Sequence, residues 1–109
     1  MKESKINLCP LVQKGMDLMS KRWNGLIIQT LLTGSHRFSE IEAAIPISGR
    51  LLSERLKELE KDGIVNRDVF SEVPIRVEYS LTEKGLALTP IIREVENWSK
   101  KWVSLDEIE

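Results

Sequence analysis

Cys9 is the only thiol in this 109-residue sequence, and Pro10 directly after it suits the first position of a helix. A cysteine just ahead of a helix start feels the positive end of the macrodipole, and Lys5 and Lys14 lie close in sequence. Both features favour the thiolate, the form that attacks electrophiles and exchanges with disulfides. The bland alternative is a small side chain without chemical consequence, and sequence physics alone leaves the two level. A second polar set sits at helical spacing between residues 48 and 61. On a wheel of 100° per residue, Arg50, Glu54, Lys57 and Lys61 fall opposite Leu52, Leu56 and Leu59, with Ser53 at the flank. Arg50 and Lys57 can reach guanine edges or phosphates, Ser53 is a small hydrogen-bonding group, and Glu54 can accept from a cytosine amino group. Ser48 and Gly49 open this helix, where free N–H groups can meet a phosphate. Arg76 stands beside a polar turn from which it can enter a minor groove or touch a phosphate, and Arg67 lies further back on the same hairpin. A solvated surface face would carry similar charges, so the wheel alone does not choose; the elements around it do.

Those elements come in a telling order. Ser39 and Glu42 have capping-box spacing for a short helix whose Ile41, Ala44 and Ile45 face inward, and Pro46 ends it. Ser48 caps the next helix, which stops at Gly63. Ile64–Phe70 and Arg76–Leu81 then read as strands around a tip that contains Pro74, a residue unable to donate to a ladder. Helix, turn, helix and hairpin make a winged helix-turn-helix, a mainly α fold with a small β-hairpin. It lays one helix in the DNA major groove with the hairpin beside it. Upstream, a helix opened by Pro10 carries Leu11, Val12, Gly15, Met16 and Met19. After a break at Lys21-Arg22, Trp23 is an apolar anchor, and Asn24 is expected to cap a helix faced by Ile27, Ile28, Leu31 and Leu32 and stopped by Gly34. His36-Arg37-Phe38 can add a short third strand. Thr82 caps a further short helix, and Thr89 is expected to cap the last one, with Ile91, Val95, Trp98 and Trp102 on one face. Two tryptophans on a terminal helix are more apolar surface than a small domain covers alone. Packing against a second copy is the expected use.

Composition narrows the function classes. With 41% hydrophobic and 30% charged residues the chain reads as one globular domain, residues 1–109. Within it, 1–8 form a flexible start, 9–20 and 90–103 dimerisation helices, 39–61 the helix-turn-helix and 64–81 the wing. No apolar run approaches the ~20 residues of a membrane span and no signal-peptide pattern opens the chain, so a cytoplasmic protein with no membrane partner is expected. A net charge of −1 gives no global basic signature. Local fields decide where a polyanion docks, however, and residues 1–38 carry six basic and two acidic groups while 77–109 carry four basic and seven acidic. His36 is the only histidine, so with one cysteine there is no credible metal set. No Ser/His/Asp or Cys/His grouping, phosphate loop or paired inward carboxylates stands out. Neither catalysis nor a cofactor is expected.

Five stretches together resemble one known family: Cys9-Pro10; Lys21-Arg22-Trp23-Asn24-Gly25-Leu26-Ile27-Ile28; Arg37-Phe38-Ser39-Glu40-Ile41; Leu52 to Glu60; and Val77 to Gly85. They look like the HxlR-type winged-helix regulators, relatives of the MarR superfamily. The Arg22-Trp23-Asn24-Gly25 run looks most like the branch that senses quinones, diamide and other electrophiles. The resemblance implies a homodimer built from N- and C-terminal helices and an inverted-repeat operator in double-stranded DNA. It also implies repression of detoxification or redox genes, with Cys9 matching the sensing cysteine. No second cysteine is present near the C-terminus. The remaining chemistry is therefore a Cys9–Cys9 bridge across the dimer, a mixed disulfide with a small thiol, or alkylation by a quinone or similar electrophile. The alternatives are a regulator answering a non-covalent ligand or no redox signal, and a winged-helix module used only for protein contact.

Overall fold

Leu52, Leu56 and Leu59 project from one side of a thirteen-residue helix, and the rest of the core is built against that stripe. The computed structural model describes residues 9–108. The expectations of a flexible 1–8 segment and of Lys5 near Cys9 lie outside the described residues. The helices are α1 (Pro10–Ser20), α2 (Asn24–Leu31), α3 (Phe38–Ala44), α4 (Gly49–Lys61), α5 (Glu83–Leu86) and α6 (Thr89–Trp102). Strands β1 (Val65–Phe70) and β2 (Arg76–Leu81) form an antiparallel hairpin between α4 and α5, and a short 3-10 turn (Leu105–Glu107) follows α6. This is the mainly α, winged helix-turn-helix architecture with a small hairpin that the sequence pattern predicts.

Ile27, Ile28 and Leu31 of α2 and Ile41 of α3 meet the α4 leucines, and Ile45 and Ile47 close the α3–α4 turn from inside. Ile64, Val65 and Leu81 extend this core into the base of the hairpin, where Val65 pairs with Leu81. Beyond that base the wing leaves the core, and β1 is exposed from Asn66 to Phe70. Gly85 lets α5 lie against this junction: a Cβ there would collide with the Ile64 carbonyl. The Thr82 hydroxyl caps α5 by accepting from Gly85 N–H at 3.0 Å, and it donates to the carbonyls at Gly63 and Ile64.

Several local expectations are corrected by tertiary contacts. Asn24 does not cap α2. Trp23 holds the cap position in a left-handed conformation with φ of +81°, and Asn24, 3% exposed, donates from Nδ2 to the Leu18 carbonyl at 2.9 Å. Ser39 does not cap α3 either. The backbone of His36 bridges Tyr79 in both directions (2.9 and 2.8 Å), which fixes the chain's entry so that the helix begins at Phe38. Glu40 then falls where its carboxylate accepts from Arg37 N–H at 2.7 Å. That bridge is a single isolated pair rather than a third strand. Ala44 is exposed rather than inward. Leu88, not Thr89, holds the α6 cap position, because the Thr89 hydroxyl donates back to the Leu86 carbonyl at 2.6 Å.

Candidate nucleic-acid interface

The α3–α4 turn is short and pinned from inside. Ile45 and Ile47 are buried on either side of Pro46, and Ile47 N–H donates to the Ile45 carbonyl at 2.8 Å. Ser48 then caps α4, its hydroxyl accepting from Leu51 N–H at 3.2 Å. With the leucine stripe held inside, Arg50, Glu54, Lys57 and Lys61 face solvent. Arg50 is 92% exposed and makes only a long 3.8 Å contact with Glu54, so its guanidinium is free to engage a partner. Lys57 is likewise exposed, and Ser53 is half-buried at the flank. The helix start differs from a bare phosphate cradle. A Cβ at Gly49 would lie 2.7 Å from a Glu42 carboxylate oxygen, so an acid from α3 already stands at that corner.

The wing treats its arginines differently. Arg76 is held in place: Nη2 is 3.2 Å from Glu72, Nε is 3.3 Å from Glu78, and the guanidinium lies 4.3 Å from the Phe70 ring centroid. Its charge is already matched by carboxylates on its own hairpin. Arg67, opposite Tyr79 in the ladder, is exposed. The tip beside Arg76, expected to be polar, also exposes two apolar side chains, Val73 and Ile75, next to Ser71 and Glu72.

Glu58 is a polar contact that sequence reasoning missed. It lies on the flank of α4, one turn on from Glu54, where it accepts from Arg55 Nη1 at 3.1 Å and pairs with Lys21 Nζ at 2.7 Å. The Lys21 hydrogen bond holds the Glu58 carboxyl below the ordinary glutamate value, partial desolvation opposes this, and the charges of Lys21 and Arg55 reinforce it. The i, i+3 spacing of Arg55 and Glu58 was visible in the sequence; the approach of Lys21 was not.

Cys9 is exposed at the cap position of α1, and its carbonyl accepts from Gln13 N–H at 3.0 Å. The helix it opens buries none of its residues, leaving Leu11, Val12 and Met16 largely in solvent. On α6 only Ile92 is buried, while Ile91, Val95, Trp98 and Trp102 are exposed. Among the described residues no group of three or more His, Cys, Asp or Glu gathers as a metal would require, and no helix is long and apolar enough to cross a membrane.

The geometry has close counterparts. Residues 18–107 match the family model described as HxlR-like helix-turn-helix. The HTH-type transcriptional regulator YvaP of Bacillus subtilis (strain 168) is 59% identical over 97 residues, 88% of this chain and 90% of that protein. YodB, an HTH-type transcriptional regulator of the same organism, is 48% identical over 96 residues, 87% of this chain and 86% of its own. The reduced form of YodB superposes with a TM-score of 0.79 at 46% identity, covering 90% of this chain and 97% of that one. YodB has also been solved after diamide treatment and with quinone bound. The oxidised form of the redox regulator HypR gives a TM-score of 0.83 at 39% identity, covering 89% and 100% of the two chains. The matched span includes the whole helix-turn-helix, the wing and α6, and on that ground the chain belongs to the HxlR family of helix-turn-helix transcriptional regulators and is not an enzyme.

Proposed function

We propose that this regulator works as a homodimeric repressor. Two copies of α4 enter successive major grooves of an inverted-repeat operator, ~34 Å apart, and covalent modification of Cys9 releases the DNA. The observation that carries the DNA-reading half is the division of α4: its leucine stripe is sealed inside while Arg50 and Lys57 stand free outside. Ser48, Gly49, Ser53 and Glu54 frame that surface, and Arg76, braced by Glu72 and Glu78, shapes the wing beside it. The dimer rests on the apolar faces that α1 and α6 leave open: Leu11, Val12, Met16, Ile91, Val95, Trp98 and Trp102.

The input rests on likeness and on placement. YodB is known in diamide-treated and quinone-bound forms and HypR as a redox regulator, and Cys9 here is exposed at a helix start. A quinone adds the Cys9 thiolate directly, forming one C–S bond and, after proton uptake, a hydroquinone thioether. Diamide takes two electrons and two protons from two thiols, giving a disulfide and the reduced hydrazine. With one cysteine per chain, that disulfide joins Cys9 to the partner copy or to a small thiol. The first requires Cα atoms within ~7 Å or a movement that brings them there. Either adduct at the dimer-forming helix changes the angle between the two reading heads, and a two-site fit tolerates little rotation.

The test is fluorescence anisotropy on duplex from the protein's own upstream region, before and after diamide or benzoquinone. The parent should bind and then release, and Cys9→Ser should bind and stay bound. A Cys9→Ser variant released as readily as the parent would refute the thiol input. A second reading, a non-covalent apolar ligand as the signal, draws on a cavity of about 580 Å³ lined by Met19, Trp23, Leu26, Ile92, Val95 and Ser99. Thiol reagents without effect on DNA affinity would favour it.

A further inference from the structure

The joint between α1 and the rest of the chain is narrow. Within α1, Leu18 and Met19 pack against the core and no residue is buried. Three features fix this last turn. Asn24 holds the Leu18 carbonyl from a buried position. Trp23, in its left-handed conformation, turns the chain while Arg22 lies 4.8 Å from its ring centroid. Bulky residues rarely adopt positive φ, so the corner is over-determined by its surroundings. Lys21 then reaches across to Glu58 on α4 at 2.7 Å, and the same carboxylate oxygen takes Arg55 at 3.1 Å.

An α-helix of eleven residues is ~16 Å long, with Cys9 at its far end and Lys21 just past its near end. Any rotation of this arm about the corner would meet the DNA-reading helix at the Lys21–Glu58 contact. We propose that Glu58 is a positioning residue. It ties the end of α1 to α4, with Lys21 on one side and Arg55 on the other, so that the seating of α4 follows the angle of α1. This rests on the reading of α4 as the DNA-contacting element. The contact suits a relay rather than a staple. Lys21 and Glu58 are 45% and 44% exposed, and exposed pairs add little to stability, so the tie can open without unfolding the domain. Arg55, 17% exposed, keeps the carboxylate in register with α4 when Lys21 leaves.

A double-mutant cycle on the full chain tests this, using Lys21→Met, Glu58→Gln and the pair. Loss of a cation weakens DNA binding in either background, so that contribution cancels in the cycle. On the upstream duplex each single change should weaken binding about three- to tenfold, the loss in the pair should fall well short of the product of the two single losses, and Lys21→Arg should keep the parent's affinity. Additive losses, or a Lys21→Arg protein as weak as Lys21→Met, would overturn the tie. So would a collapsed melting transition in either single variant, since the contact would then be a fold contact. Hydrogen exchange of the α4 amides reads the same cycle without DNA. Faster exchange in each single variant, with no further gain in the pair, supports the tie; unchanged exchange counts against it. A parent that binds no duplex sinks the DNA reading, and the exchange cycle then still decides the Lys21–Glu58 coupling.

Discussion

Helices α4 and α6 are written in nearly the same code and spend it differently. Both carry apolar residues at helical spacing with charges opposite. On α4 the stripe of Leu52, Leu56 and Leu59 is sealed, each at 2% exposure or less. On α6 only Ile92 goes in, while Trp98 and Trp102 remain 60% and 64% exposed. Periodicity therefore tells that a face is to be hidden, but not behind what. For α4 the cover is the same chain; for α6, and for α1 beside it, the proposed cover is a second copy.

The contrast breaks most visibly at the sealed stripe. Leu56→Ala should cost about 2–5 kcal/mol of folding stability, because the removed atoms leave a cavity within the buried core cluster. Chemical denaturation would show it as a lower midpoint at an unchanged slope. Trp98→Ala should act on association instead. An aromatic anchor at a buried interface contributes about 2 kcal/mol or more and the dimer loses one from each copy, so the dimer dissociation constant from sedimentation should rise at least ~30-fold while the monomer's circular dichroism stays intact. A Trp98→Ala protein that is unfolded, or that dimerises like the parent, would erase the distinction between the two helices.

How far the sequence could be read follows the same line. The Ser48 and Thr82 caps and the α4 stripe were legible because each is settled within one or two turns of chain. Asn24, Ser39 and Thr89 carry the local signature of caps, and each is displaced by a contact from another element: the Leu18 carbonyl, the His36–Tyr79 bridge and the end of α5. Arg76 reads as a free cation although both its partners lie within four residues, because strand alternation does not tell how the tip folds Glu72 back onto it. Lys21 looked like a helix break, and its partner on α4 lies far along the chain. Arg50 and Lys57 stood out because an exposed cation opposite a sealed stripe needs no partner within the chain.

The smallest expected effect is on pH. Hydrogen bonds hold three carboxyls below the ordinary glutamate value: Glu58 from Lys21, Glu40 from the Arg37 N–H, and Glu96 from Gln29 and then Arg93, with desolvation partly opposing in each. A lowered carboxyl stabilises the fold above its unfolded value and loses that contribution as pH falls through its folded value. The melting temperature should therefore be flat from neutrality downward and decline below about 4.5. The decline should be shallower in Glu96→Gln. A melting temperature that rises on acidification would contradict the assignment.

Salt-dependent titration of an inverted-repeat duplex, against a duplex holding one half of it, tests the central claim most directly. The parent should prefer the full repeat, with affinity falling steeply as salt rises. Arg50→Ala with Lys57→Ala should weaken it at least tenfold and, with two cations lost from each copy, flatten the salt slope by about 2–4. Equal binding by parent and double variant, or no binding by the parent at low salt, would contradict the account.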